Sequence, residues 1–138
     1  MRIMEERPQS FDPAALFGAL ADYTRLRLLN LIGEDEVCVC YLVDVLGTNQ
    51  PKVSRHLAYL RKVGVVSARR EGKWMHYRIV QPHTAEAGRI LSAVMDSISK
   101  QPQMKADRKR LTELLREPNV IVQLARAPRP ALTERAAG

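Results

Sequence analysis

The 138-residue sequence is poor in cysteine and has no apolar run near the roughly 20 residues that a membrane-spanning helix needs. Its two cysteines, Cys38 and Cys40, are separated by one residue, which excludes a disulfide framework and would strain any bridge between them. The first ten residues include acidic side chains and lack an apolar segment, so we expect no secretory signal. These absences favour a cytoplasmic protein with reduced thiols and no membrane partner.

Motifs of the common enzyme classes are also missing. The sequence has no glycine-rich phosphate loop, no zinc-protease motif, no Ser-His-Asp order and no paired carboxylates in an apolar setting. A nucleophilic Cys38 would need a neighbouring general base, and the nearest histidine in sequence, His56, lies in a strongly basic segment. We therefore do not expect an enzyme.

Positive charge is abundant but confined to one segment. The chain has 22 Lys and Arg against 15 Asp and Glu, a net charge of +7. Residues 49–80 contain eight basic residues and one acidic residue, hence +7, so the rest of the chain balances at fourteen of each sign. Such a concentrated excess is typical of a surface that binds nucleic-acid phosphates. It predicts double-stranded DNA as a partner, with an idle solvated face as the alternative.

Helix and turn signals predict six helices and one β-hairpin. Asp12-Pro13 would begin the first helix, Thr24 would cap the second, and Gly33 would end it. The later predicted elements are an extended stretch over 37–40, a short helix over 41–46 closed by Gly47, a helix from Asn49 to Gly64, strands over 65–70 and 74–80, a helix from Thr84, and a helix over roughly 104–117. This order predicts a mainly α protein with a small β-hairpin (α+β), namely a winged helix-turn-helix.

The same signals divide the chain into four segments. We expect an N-terminal extension over 1–11, a DNA-binding and dimerisation domain over 12–100, an additional C-terminal helix over 101–117, and a flexible tail over 118–138.

The helix that begins after Asn49 suits the DNA major groove, where its N-terminal residues would reach base edges. Gln50 can bond adenine bidentately, and Arg55 can bond guanine or hold a phosphate. The candidate DNA-binding residues are Asn49, Gln50, Lys52, Ser54, Arg55 and His56 on the helix, and Arg69, Arg70 and Lys73 on the hairpin. A bond within the protein is an equal alternative for His56, and Trp74 and Tyr77 are expected in the core of the wing.

Three phrases follow one another in this part of the chain: ALADYTRLRLL, NQPKVSRHLAYLRKVGVV and RREGKWMHYRI. With them, residues 12–99 resemble the ArsR/SmtB family of metal-sensing repressors. The resemblance implies a homodimer, built by the first helix and the long helix after the wing, that binds an inverted-repeat operator. The interface residues that it implies are Leu16, Leu20, Ile90, Leu91, Val94, Met95 and Ile98. It also implies DNA contacts by Gln50, Ser54, Arg55 and His56.

Cys38 and Cys40 lie in a β-prone stretch just before the predicted helix-turn-helix. In an extended segment, side chains i and i+2 point to one side, so both sulfurs could bind one soft ion. In a helix they would lie about 200° apart. Thiolates favour As(III), Sb(III), Cd(II) or Zn(II) over hard cations. Binding would favour an extended start over a helical one and so act on the DNA-reading helix.

The stretch Glu36–Cys40, EVCVC, resembles the ELCVC motif of the arsenic-responsive branch of that family. The resemblance implies a repressor released from DNA when trivalent arsenic binds Cys38 and Cys40, with no constitutive cofactor. That branch often has a third cysteine where this chain has Val43, and an aspartate where it has Tyr41. Arsenite would then need a third ligand from elsewhere, whereas a methylated As(III) would need only two thiolates.

Other functions stay open at this point. The cysteines could sense another thiophilic metal or the redox state, or they could be inert core thiols of a DNA-binding protein without a ligand. A Zn(II) or Ni(II) site on the helix after the wing would have only the widely spaced His83 and Asp96, so we do not expect one.

Overall fold

A computed structural model of the chain describes residues 12–116 and 128, which form six helices and three strands. The helices are α1 (Pro13–Leu20), α2 (Tyr23–Ile32), α3 (Val39–Leu46), α4 (Gln50–Val63), α5 (Ala85–Ile98) and α6 (Pro102–Arg116). The strands are β1 (Val37–Cys38), β2 (Val66–Glu71) and β3 (Trp74–Ile79). The predicted extension over 1–11, residue 117 and, apart from residue 128, the predicted tail over 118–138 lie outside the described residues. No helix of the described part is long and apolar enough to cross a membrane.

Local capping signals set most helix boundaries as predicted. The Asp12 carboxylate accepts a hydrogen bond from the Ala15 N–H at the start of α1, where Pro13 occupies the first helical position. At the start of α4, the Asn49 side chain accepts from the Lys52 N–H at 2.9 Å. Thr84 caps α5 in the same way, and Gly33, Gly47 and Gly64 follow the last residues of α2, α3 and α4.

The predicted start of α2 is wrong by two residues. Asp22, not Thr24, caps this helix, because its backbone is extended and its carboxylate accepts from the Arg25 N–H at 3.0 Å. Helix α2 therefore begins at Tyr23, and Thr24 lies inside its first turn.

The wing is a three-stranded antiparallel sheet in the order β1-β3-β2. The predicted hairpin is confirmed, with strand boundaries shifted by a residue, and its turn is Gly72-Lys73. Gly72 has a φ of 62°, which glycine adopts without strain. Strand β1 pairs along the other edge of β3, with Cys38 opposite His76. The extended stretch predicted over 37–40 thus forms a strand only at Val37-Cys38, and its pairing with β3 was not predicted, because a local pattern does not identify a distant partner.

A single hydrophobic core joins the helices to the sheet. Its fully buried members include Leu28, Leu29, Leu31 and Ile32 of α2, Leu42 of α3, Val53, Leu57 and Leu60 of α4, and Leu111 of α6. Helix α6 lies on α2 and α3, where the Arg110 guanidinium is 3.4 Å from the Asp44 carboxylate and Arg108 donates to the Leu31 carbonyl at 2.9 Å. The segment over 101–116 is thus packed into the same core as the helix-turn-helix.

Candidate DNA interface and thiol site

Helix α4 follows α3 after a tight turn and presents its N-terminal polar residues to solvent. Gln50, Lys52 and Arg55 are exposed, and Ser54 is half-buried. The opposite face of the helix is anchored by the fully buried Val53, Leu57 and Leu60. The structure therefore places these four predicted DNA-contacting residues in the N-terminal half of α4, accessible to solvent. The Asn49 side-chain oxygen is already occupied as the helix cap.

His56 faces the protein rather than this polar end. Its Nδ1 atom lies 3.4 Å from a guanidinium nitrogen of Arg25 and 3.9 Å from the Asp22 carboxylate. Both partners come from the start of α2. The structure thus gives His56 partners within the chain, while its contact with DNA stays a prediction.

The three basic residues of the wing are held differently. Arg69 makes a bidentate ion pair with Glu36, with its Nη2 atom 2.7 Å from Oε1 and its Nε atom 3.0 Å from Oε2. This contact lowers the pKa of Glu36. Arg70 is exposed, and the Lys73 ammonium lies 5.1 Å from the centre of the Trp74 ring. All three basic residues are exposed, and Arg69 differs from Arg70 and Lys73 in that Glu36 holds its guanidinium.

The wing aromatics lie largely as expected, since Tyr77 is buried and Trp74 is half-buried.

Of the predicted interface residues, four are buried within the chain and three are half-buried. The buried ones are Leu16, Leu20, Leu91 and Ile98, and the half-buried ones are Ile90, Val94 and Met95. Phe17 of α1 is 52% exposed and adds apolar surface to the same two helices. His83 and Asp96 line one open cleft beside the start of α5.

The two cysteines lie at the junction of β1 and α3. The prediction that both are extended is wrong: Cys38 is extended, but Cys40 lies in the first turn of α3. The helix begins this early because Val39, Tyr41 and Leu42 all become buried in its first turns. The two sulfur atoms are nevertheless only 3.4 Å apart, since the backbone changes conformation between them.

The two thiols form a proton-sharing pair. A hydrogen bond between the two thiols lowers the pKa of Cys38 to about 6 despite its burial. Backbone N–H groups of Cys40 and Val39 at the start of α3 also stabilise the Cys38 thiolate. The same thiol hydrogen bond, together with burial, raises the pKa of Cys40. The hydrogen bond between the thiols therefore shifts their two pKa values in opposite directions.

This donor set fits a soft ion. Two sulfurs each about 2.3 Å from one ion lie about 3.8 Å apart at a tetrahedral angle, and closer at the narrower angles of a pyramidal ion. The 3.4 Å separation lies on the shorter side of that value. Within residues 12–116, no group of three or more His, Cys, Asp or Glu side chains is placed to hold a metal. The described chain thus offers two sulfur ligands at this site.

Strand pairing joins the thiol site directly to the wing, a connection that the sequence did not indicate. Cys38 lies opposite His76 of β3, a buried side chain whose Nε2 atom is 2.9 Å from the Glu71 carboxylate. Glu36, two residues before Cys38, holds Arg69 of β2. The only signals available in sequence were the β-prone Val37-Cys38 and the opposite charges of Glu36 and Arg69, and neither names its partner.

Comparison with known proteins places this arrangement in a family. The profile described as "Bacterial regulatory protein, arsR family" matches residues 22–68. The arsenic resistance transcriptional regulator ArsR1 of Pseudomonas putida is 40% identical over 114 residues, which cover 82% of this chain and 88% of that protein. The arsenical resistance operon repressor of Escherichia coli is 48% identical over 80 residues, 57% of this chain and 68% of that protein.

A solved structure agrees with the fold. The homodimeric winged helix-turn-helix DNA-binding domain Mb0332 of Mycobacterium bovis, a possible ArsR-family regulator, superposes with a TM-score of 0.52 at 31% identity. The match covers 64% of this chain and 79% of that one. From the sequence relationship and the shared fold, the chain belongs to the arsR family of bacterial regulatory proteins, which are winged helix-turn-helix DNA-binding transcriptional regulators rather than enzymes.

Proposed function

We propose that the protein is a homodimeric repressor that binds an inverted-repeat operator and is released when trivalent arsenic binds Cys38 and Cys40. The observation that carries this proposal is the pair of cysteine sulfur atoms that lie 3.4 Å apart at the start of α3. The two relatives named for arsenic resistance support the ligand class, and the homodimeric domain from Mycobacterium bovis supports the assembly. Such a repressor acts in the cytoplasm, where its thiols stay reduced.

On DNA, the N-terminal end of α4 lies in the major groove. Gln50, Ser54 and Arg55 read base edges, and Lys52 neutralises a phosphate. Arg70 and Lys73 place the wing against the backbone or the minor groove. A structural role in positioning α4 and the wing falls mainly to Asn49, His56 and Arg69, because each already has a partner in the protein. The apolar surface of α1 and α5 pairs the two protomers.

Arsenic binding acts on the start of α3. Each bond from a cysteine sulfur to As(III) would replace a bond from As(III) to a hydroxide, and the displaced hydroxides and the thiol protons would leave as water. The As(III) bound by both sulfurs would then impose its own angle on the junction. Because α3 packs against α4, a change in the first turn of α3 reaches the reading helix. Because Cys38 is paired with β3, the same change also reaches the wing. The ligand releases DNA only to the extent that it binds the altered form more tightly than the DNA-binding form.

The number of thiolates bears on which arsenical is the inducer. Val43 lies one turn after Cys40 on α3, and its methyl groups cannot ligate. Two protein thiolates suffice for a methylated As(III), because one valence is already used by carbon. Arsenite or antimonite takes a third ligand from solvent, a small thiol or elsewhere in the dimer. A second candidate function uses the same pair of cysteines to sense another thiophilic metal or the redox state. Two thiolates can also bind Cd(II), and an oxidant can oxidise them.

Release from labelled operator DNA tests both candidates. Reduced protein is titrated with arsenite, a methylated As(III), antimonite, Cd(II) and an oxidant. Release by trivalent arsenic that is lost in both Cys38→Ser and Cys40→Ser supports the main proposal. Val43→Cys is the matched variant. It should lower the arsenite concentration needed for release more than it lowers the concentration of the methylated species. Release only by Cd(II) or the oxidant favours the second candidate, and indifference to every ligand by a protein that binds DNA rejects both.

A further inference from the structure

Arg25 of α2 is bonded to two other helices at once. Its Nε atom donates to the Ala19 carbonyl at 2.7 Å and its Nη2 atom donates to the Gly18 carbonyl at 3.1 Å. These carbonyls belong to the last turn of α1, where carbonyl groups lack their usual partner four residues later; that of Gly18 also accepts from the Ala21 N–H at 3.3 Å. The positive charge of the guanidinium also interacts favourably with the negative, C-terminal end of the helix dipole. Arg25 therefore acts as the C-terminal cap of α1, from a different helix.

The other side of the same guanidinium is turned to α4. Its central carbon lies 4.2 Å from the centre of the Tyr59 ring, and its Nη1 atom is 3.4 Å from His56 Nδ1. His56 and Tyr59 are three residues apart, so they share one face of the reading helix. The helices also meet closely here, because a Cβ on Gly18 would lie only 3.4 Å from the Tyr59 hydroxyl. One side chain thus joins the end of α1 to the middle of α4.

We propose that Arg25 is a positioning residue for DNA reading, which sets the angle between α1 and α4. This inference rests on the proposed function, in which α1 belongs to the dimer interface and α4 enters the major groove. With α1 held by the partner protomer, the angle between α1 and α4 decides how far apart the two reading helices lie. Arg25 then determines which spacing of half-sites the dimer accepts, without touching DNA.

The chemistry of arginine makes this role specific. Its planar fork can bond two carbonyls and lie on an aromatic ring at the same time, whereas the point charge of lysine cannot reproduce that geometry. Arg25→Lys therefore keeps the positive charge but loses the simultaneous contacts with the α1 carbonyls and the Tyr59 ring. If the loss of these contacts leaves one molecule in ten with the angle between α1 and α4 that DNA binding needs, affinity for the best operator falls roughly tenfold. Affinity for operators with altered spacing falls less, so the preference for one spacing flattens.

The test uses full-length protein and a duplex selected from random DNA by repeated binding to the wild type. Two further duplexes lengthen or shorten the half-site spacing by one base pair, which moves the second half-site by about 3.4 Å and rotates it by about 35°. Arg27→Lys is the matched control: it changes the same residue type on the same helix, but its partner is Asp107 on α6. Tyr59→Leu is a second test variant, since its side chain is 43% exposed and the change spares the core.

The expected result is a flatter spacing preference in Arg25→Lys and, to a smaller extent, in Tyr59→Leu, with the profile unchanged in Arg27→Lys. The dependence of affinity on salt should stay the same, because no phosphate contact is lost. Equal weakening at all three spacings would overturn the inference, as would a salt slope reduced by about 0.9, which marks a phosphate contact. If Arg25→Lys does not fold, Tyr59→Leu decides. A wild type that selects no inverted repeat refutes the proposed function itself, which is a different outcome.

Discussion

Replacing Asp107 by alanine tests how firmly α6 is joined to the helix-turn-helix. The Asp107 side chain is 3% exposed, and it accepts hydrogen bonds from Nε and Nη2 of Arg27 at 2.7 and 2.9 Å. It also accepts one from the Gln103 side chain at 2.8 Å. The ion pair joins α6 to α2 across 80 positions of sequence. Truncation removes the acceptor of all three bonds and leaves the Arg27 charge without its partner.

The size of the effect follows from burial. Three bonds to a charged group, at about 1.5–3 kcal/mol each, would overstate it, because such contributions are not additive within one network. Removing one partner of a buried ion pair costs about 3–5 kcal/mol. The Arg27 side chain is 20% exposed, so water can partly solvate the freed guanidinium. We therefore expect the lower end, about 3 kcal/mol, which is a factor of roughly 100 in the folding equilibrium.

Urea unfolding followed by circular dichroism measures this loss. All variants are compared at one protein concentration, because the stability of a dimer depends on it. Asp96→Ala is the matched control: its carboxylate is 75% exposed and lies 3.6 Å from an equally exposed Lys100. That change should cost no more than about 0.5 kcal/mol. The urea m-value should be the same in both variants, since the folded surface hardly changes.

The reasoning would be refuted if Asp107→Ala and Asp96→Ala lowered the free energy of unfolding equally. A double variant checks the cause. Arg27→Met combined with Asp107→Ala should be more stable than Asp107→Ala alone, because it removes the unpaired charge. A double variant less stable than either single one would mean that the guanidinium is not the source of the cost.

Two further predictions concern the thiol pair and the wing. Cys40→Ala removes the hydrogen-bond partner of the Cys38 thiol, so the pKa of Cys38 should rise from about 6 toward its ordinary value. In the ultraviolet thiolate absorbance, the wild type should gain thiolate as pH rises through about 6 and the variant only at higher pH, while an unchanged midpoint would contradict the proton sharing. Arg70→Gln should lower the slope of log affinity against log salt by about 0.9, the value for one phosphate contact. Arg69→Gln should lower the slope less, because Arg69 is already paired with Glu36, and equal slopes would contradict this distinction.

Local signals in the sequence determined the secondary structure and the placement of charge. Helix caps are formed by Asp12, Asn49 and Thr84, each of which accepts a hydrogen bond from the backbone N–H three residues later. The hairpin turn depends on the positive φ of Gly72. Such effects act within one turn, so neighbouring residues suffice to specify them. The basic segment over 49–80 became one reading helix and one wing because both elements are local in sequence. The start of α2 was misjudged because two capping residues, Asp22 and Thr24, compete within three positions.

Tertiary structure decided what those elements do together. The start of α3 could not be read from Val-Cys-Val-Cys, because burial of Val39, Tyr41 and Leu42 outweighs the β propensity of that stretch. Pairing Cys38 with His76, and joining Arg25 to α1 and α4, depend on residues brought together from distant parts of the chain. The sequence contains both partners of each contact but not their distance. Only folding, which removes apolar side chains from water, places them within reach of one another.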